Sequence, residues 1–121
     1  MRRMTQERID WTQSERMKAL KELAPAPFQA FAALEQAVFE PGHLSPKTKE
    51  LIAVAVTHVT QCEGCITLHV QNARRLGATE GEVAEALWVA AELRAGAAVG
   101  QFATTLQALR KSAESEDRRT L

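Results

Sequence analysis

Apolar residues recur at helical spacing along most of the chain, and few segments alternate as a strand would. Thr12-Gln13-Ser14-Glu15 reads as a capping box, with Thr12 at the N-cap and Glu15 reaching back to its amide. The helix it opens should stop near Pro25 and Pro27. Phe28, Phe31, Leu34 and Val38 then mark one face of a second helix, closed by Pro41-Gly42. Ser45-Pro46 supplies an N-cap and a first-turn proline for a third helix running to about Thr60. Between Leu51 and Val56 that helix is apolar on nearly every side, which predicts burial all round. A fourth helix spans about Cys62 to Leu76 and ends at Gly77, a residue suited to the left-handed cap. Thr79-Glu80-Gly81-Glu82 is a second capping box, and the helix after it should turn Val83, Leu87, Ala90 and Ala91 inward. The small residues of Ala95–Gly100 permit close backbone contact and predict a break. A last helix carries Phe102, Leu106 and Leu109. The pattern predicts an all-α, compact bundle of about six helices.

Composition sharpens this picture. The apolar share is 45% of 121 residues, but 21 of those residues are alanine, so each helix buries little area. Such a core gains by close helix approach, or by burying more surface against copies of the chain. Charge collects at the ends, in residues 1–22 and 110–121. The predicted organisation is an N-terminal helical arm (1–24), a core domain (25–110) and a charged C-terminal tail (111–121). Net charge is zero, without the basic excess of a nucleic-acid binder. The uncharged runs Leu51–Cys62 and Ala95–Leu109 are too short for a membrane span of about 20 residues. The opening residues contain no apolar signal core, so the expectation is a soluble, cytoplasmic protein.

The chemistry lies in two cysteines, spaced Cys62-x-x-Cys65. A secreted disulfide scaffold needs more of them, further apart. In a reducing compartment this pair reads as redox-active or metal-binding. Cys62, Cys65 and His69 fall within about 60° on one helix face, together with Ile66 and Ala73. Glu63, Thr67, Gln71, Arg74 and Arg75 take the other side. A helix N-terminus favours thiolate over thiol, and an imidazole one turn on can accept the thiol proton. These are an activated nucleophile and a resolving partner. Attack on a peroxide oxygen gives a sulfenic acid, which the second thiol condenses to a disulfide. Protonated His69 can supply the leaving group's proton. Its orienting partner is Glu50, which opens the run Leu51–Val56 and shares a stripe with Val54 and Thr57. Antiparallel packing of the two helices would let Glu50 reach His69 directly or through water.

Other readings of the same residues stand beside this one. The cysteines can be small buried hydrophobes, or zinc ligands with His69 and either Glu50 or His58. Glu50 can serve only the helix dipole. His58 reads best as a satisfied core histidine, and His43 lies in a loop without a nameable partner. Which cysteine attacks first is open: Cys62 has the helix start, Cys65 has His69.

The spacing Glu50-x11-Cys62-x2-Cys65-x3-His69 resembles the signature of the AhpD-like alkylhydroperoxidases, within the carboxymuconolactone decarboxylase family. The resemblance covers roughly residues 25–110 and includes the helix punctuation around the motif. It implies an all-helical, oligomeric protein (trimer or hexamer) that reduces hydroperoxides or disulfides. By position, Cys65 would attack the peroxide, Cys62 would resolve, and His69 with Glu50 would relay the proton. One departure is Gly64, where the best-studied members place a histidine. No flavin or nicotinamide motif is present, so no cofactor is expected. Electrons would come from an external dithiol, such as a lipoyl group or a thioredoxin-like protein. The expected partners are thus a small-molecule hydroperoxide and that reductant, with no nucleic acid and no membrane. A decarboxylase-like or catalytically silent protein is the alternative, and a metal- or redox-sensing protein a further one.

Overall fold

In a computed structural model, residues 8–120 are described and form six α-helices. These are α1 (Glu15–Leu23), α2 (Pro25–Phe39), α3 (Pro46–Thr60), α4 (Glu63–Arg75), α5 (Glu80–Gly100) and α6 (Phe102–Thr120), preceded by a 3-10 turn at Trp11–Gln13. No strand occurs among the described residues. None of their helices is long and apolar enough to cross a membrane.

Local chemistry sets most boundaries. Pro25 stands at the start of α2, where its missing N–H costs no hydrogen bond. The Ser45 hydroxyl accepts the Thr48 amide at 3.1 Å and opens α3. Thr79 and Glu82 form the expected reciprocal box at α5, with bonds of 3.1 and 2.8 Å. The Lys49 ammonium donates to the carbonyls of Val38 and Glu40, satisfying acceptors at the end of α2. Gln61 takes a left-handed conformation (φ 59°) and ends α3. After two linking residues the chain returns as α4. The Cys62 amide bonds the Thr57 carbonyl near the end of α3, while His69 meets Glu50 near its start. The two helices therefore run antiparallel. α3 is the central element, packed on α4 and α5. The core is Val54, Ala73 and Ala78, with Leu51, Val70, Val83 and Ala86 around it.

Several expectations are corrected. The first capping box does not form. The Asp10 carboxylate captures the Thr12 amide and hydroxyl and holds Thr12 in the 3-10 turn. Ser14 caps α1 instead, accepting from the Met17 amide at 3.3 Å. α5 does not break within Ala95–Gly100; the alanines sustain the helix and the chain turns only at Gln101. Its inward face is Val83, Ala86 and Ala90, while Leu87 and Ala91 are exposed. On α3 only one side is covered: Glu50, Val54 and Thr57 are buried, whereas Ile52 (48%) and Val56 (51%) are exposed. On α2, Phe28 is buried but Phe31, Leu34 and Val38 lie open. The half-buried residues there are Ala32, Glu35 and Phe39, on the face that carries Glu35 to Arg8 and Phe39 to His69. Phe102, Leu109, Val99 and Trp88 add to the uncovered apolar surface.

Candidate functional site

Cys62 occupies the N-cap of α4, and its sulfur accepts the Cys65 amide at 3.3 Å. A cysteine here replaces the usual hydroxyl or carboxylate cap, so one sulfur lies at the positive end of the helix dipole. Cys62 and Cys65 are joined as a disulfide with 5.2 Å between their Cα atoms. Both residues are half-buried. Reduction of this bond releases two thiols at the start of the helix.

His69 stands one turn beyond Cys65, a neighbour on the helix surface. Its Nδ1 donates to Glu50 Oε2 at 2.7 Å. That bond fixes the orientation of the ring. The Phe39 ring stacks on the imidazole, with centroids 5.5 Å apart and planes 20° from parallel.

Glu50 is fully buried, which an isolated carboxylate could not sustain. Its second oxygen accepts from Arg8 Nε, so both oxygens meet a nitrogen donor. Arg8 also ion-pairs with Glu35 through Nη2 at 2.6 Å and lies 4.0 Å above the Phe39 ring. Burial disfavours the Arg8 cation, but hydrogen bonding to the Glu35 and Glu50 carboxylates outweighs it and holds its pKa above the ordinary value. The next residue extends this docking: the Ile9 amide donates to Asn72 Oδ1 at 2.7 Å, and Asn72 is fully buried on α4.

The site predicted from sequence therefore has Glu50 and His69 in contact and Cys62 bonded to Cys65. His58 takes no part in the network: its Nδ1 bonds the Val54 carbonyl at 2.7 Å, one turn back on its own helix. The zinc arrangement is not assembled either. The sulfurs are bonded to each other, and Glu50 is occupied by Arg8 and His69. Among the described residues no group of three or more histidine, cysteine or acidic side chains is placed to hold a metal ion.

Sequence reasoning missed Arg8, Glu35, Phe39 and Asn72. Two signals were available. Glu35 is the one charged residue in α2, and Asn72 continues the Cys65–His69 stripe at the next turn. Arg8 carried no signal, being one of several charges in a polar segment and 42 residues from Glu50.

Residues 25–111 match the model of a family described as "Carboxymuconolactone decarboxylase family". A Paracoccus denitrificans protein described as "Uncharacterized protein 4 in cox locus" is 62% identical over 69 residues, 57% of this chain and 62% of that protein. A protein of Haemophilus influenzae is 43% identical over 69 residues, 53% of this chain and 61% of its own length. The chain thus spans a little over three fifths of each of these relatives. Among solved structures, a protein from Methanobacterium thermoautotrophicum is 36% identical with a TM-score of 0.67, covering 70% of this chain and 96% of that one. A carboxymuconolactone decarboxylase family protein from Legionella pneumophila, solved in its apo form, is 37% identical with a TM-score of 0.62. That likeness covers 64% of this chain and 70% of the Legionella chain.

Proposed function

The chain belongs to the carboxymuconolactone decarboxylase family, and on that premise we propose that it is a cysteine-dependent hydroperoxide reductase of the AhpD-like kind. The observation that carries this reading is the Cys62–Cys65 disulfide at the start of the helix whose His69 is held by the buried Glu50. In the proposed cycle the Cys65 thiolate attacks the terminal oxygen of ROOH. The O–O bond breaks, the alcohol ROH leaves with a proton from His69, and Cys65 becomes a sulfenic acid. The Cys62 thiol then displaces water to form the disulfide. An external dithiol of the lipoyl or thioredoxin-like class reduces that disulfide and is itself oxidised. Glu50 keeps His69 oriented through both proton transfers.

The reading extends to assembly and place. The large apolar side chains of Ile52, Val56, Trp88, Leu93 and Phe102 are all exposed, which supports a homo-oligomer. The 1–24 arm, the 25–110 core and the 111–121 tail are the proposed organisation. A cytoplasmic setting supplies the reductant. The Cys62–Cys65 pair also separates this reading from a decarboxylase-like activity, for which the two thiols are not needed.

The test is peroxide consumption by the reduced protein with a dithiol donor, followed by mass spectrometry of the cysteines. One equivalent of peroxide should remove two hydrogens, confined to Cys62 and Cys65. Cys65→Ser should abolish turnover. Thiols that survive peroxide unchanged, or turnover that persists in Cys65→Ser, would sink the proposal.

A further inference from the structure

Arg8 and Glu35 reach the site from two segments outside the cysteine helix. Arg8 lies before α1 and bridges Glu50 of α3 to Glu35 of α2, while Phe39 touches both Arg8 and His69. The cluster thus holds one guanidinium between two carboxylates. One negative charge is left over, and His69 is the neighbour that can meet it by taking a proton. Several other charged side chains on the surrounding elements are engaged elsewhere. Lys47 pairs with Glu82 at 3.0 Å, and Lys49 serves the α2 carbonyls. Arg74 donates to the Ala78 carbonyl at 2.7 Å, and Arg94 to the carbonyls of His58 and Val59. His58 is bonded to its own helix. Glu40 and Glu63 are exposed, and the two cysteines stand one and two turns before His69 at the start of α4.

We propose that Arg8 and Glu35 are a positioning pair that sets the pH at which the Glu50–His69 pair gives up its proton. Arg8 lowers that pH by supplying a positive charge against Glu50, and Glu35 raises it by offsetting part of that charge. The sign follows from electrostatics alone. A fixed cation within hydrogen-bond distance makes every proton in the cluster easier to lose, and a fixed anion does the reverse. The macroscopic steps belong to the Glu50–His69 pair as a whole, and with His69 as their proton partner the thiols at Cys62 and Cys65 respond to the same two charges. Arg8 is also the residue by which the N-terminal segment reaches the site. Its Nε contacts Glu50, the adjacent Ile9 amide contacts Asn72, and both partners are fully buried. Docking of that segment and the protonation state of the relay are therefore linked. The inference rests on the reading of His69 as the proton partner of the thiols.

The experiment compares wild type with Arg8→Met, Arg8→Lys and Glu35→Gln in the full chain, with the disulfide reduced. Two quantities are followed against pH: the imidazole proton resonance of His69 by NMR, and the rate of cysteine alkylation by iodoacetamide. In Arg8→Met the His69 midpoint should rise by about one pH unit or more. In Glu35→Gln it should move the other way by a smaller amount, and Arg8→Lys should stay near wild type. The acid limb of alkylation should move in the same directions. Midpoints that stay fixed while thermal stability falls would show a purely structural role and overturn the proposal. Shifts of the same sign in Arg8→Met and Glu35→Gln would overturn it too. Should Arg8→Met not fold, the opposite-signed shift in Glu35→Gln and the rescue by lysine still decide. Opposed His69 shifts with an unmoved alkylation profile would support the charge pair and refute His69 as the thiols' proton partner.

Discussion

Replacing Glu50 with glutamine separates charge from shape at the centre of the site. The side chain is fully buried, with one oxygen facing Arg8 and the other facing His69 Nδ1 at 2.7 Å. Glutamine keeps the volume and one acceptor but turns the other acceptor into a donor. The oxygen then accepts from Arg8 as a neutral group, and the NH2 can meet His69 Nδ1 only by forcing the imidazole into its other tautomer, so both charge-assisted bonds are weakened or lost. Hydrogen bonds involving charged groups contribute about 1.5–3 kcal/mol each. Against that loss, the carboxylate's own desolvation cost disappears, and Arg8 still has Glu35 at 2.6 Å. The net destabilisation should be about 2 kcal/mol, below the roughly 3–5 kcal/mol for leaving a buried ion unpaired. For a chain of this size that is a fall in Tm of about 8 °C. Urea denaturation followed by helical circular dichroism reads the stability, and peroxide consumption reads the chemistry. Loss of an oriented acid–base group should slow turnover about 100-fold. A variant within about 0.5 kcal/mol of wild type and with normal turnover would refute the Glu50–His69 relay. Complete unfolding would show that the charge on Glu50, not its two hydrogen bonds, holds the site together.

Three further outcomes follow from other parts of the molecule. A Cβ at Gly64 meets nothing within 4 Å, so Gly64→His should fold normally; if a histidine there tunes the thiolate, peroxide turnover rises, and a misfolded variant contradicts the open space. Val54→Ala removes packing from a fully buried position and should cost about 2 kcal/mol in urea denaturation, whereas a loss under about 0.5 kcal/mol would mean that the core collapses around the gap. Glu82 is held below its ordinary value of 4.5 by the Thr79 backbone amide, with help from Lys47. A depressed folded pKa means that its contribution is present above the unfolded value and lost as the pH falls through the folded one. Carboxyl NMR should therefore give a Glu82 midpoint below that of exposed glutamates, and Glu82→Gln should reduce the acid sensitivity of α5.

The readable part of this site was the part built by local rules. Ser45-Pro46 fixed where α3 starts, and a two-residue link fixed that α4 returns along it, so Glu50 and His69 could be placed together from spacing. Helix faces were harder, because α2 and α3 carry apolar residues on more than one side. Periodicity finds a stripe but cannot say whether the stripe meets this chain or is left open. On α2 the four-residue apolar stripe is mostly the open one, and the inward face is set by Glu35 and Phe39. A polar residue contributes to the orientation, since among the described residues Glu35 finds its partner Arg8 on that side. The same physics explains why Arg8 was out of reach. A buried carboxylate such as Glu50 requires a counter-charge, but nothing in the sequence says which of the many cations supplies it. It comes from 42 residues away, carried by a segment whose neighbouring amide is bonded to a second buried side chain, Asn72. If Glu50 is tolerable in the interior only with Arg8 and His69 on its two oxygens, then the site is complete only while the N-terminal segment is docked. The core alone, without that segment, would hold the cysteines but leave the relay short of one charge.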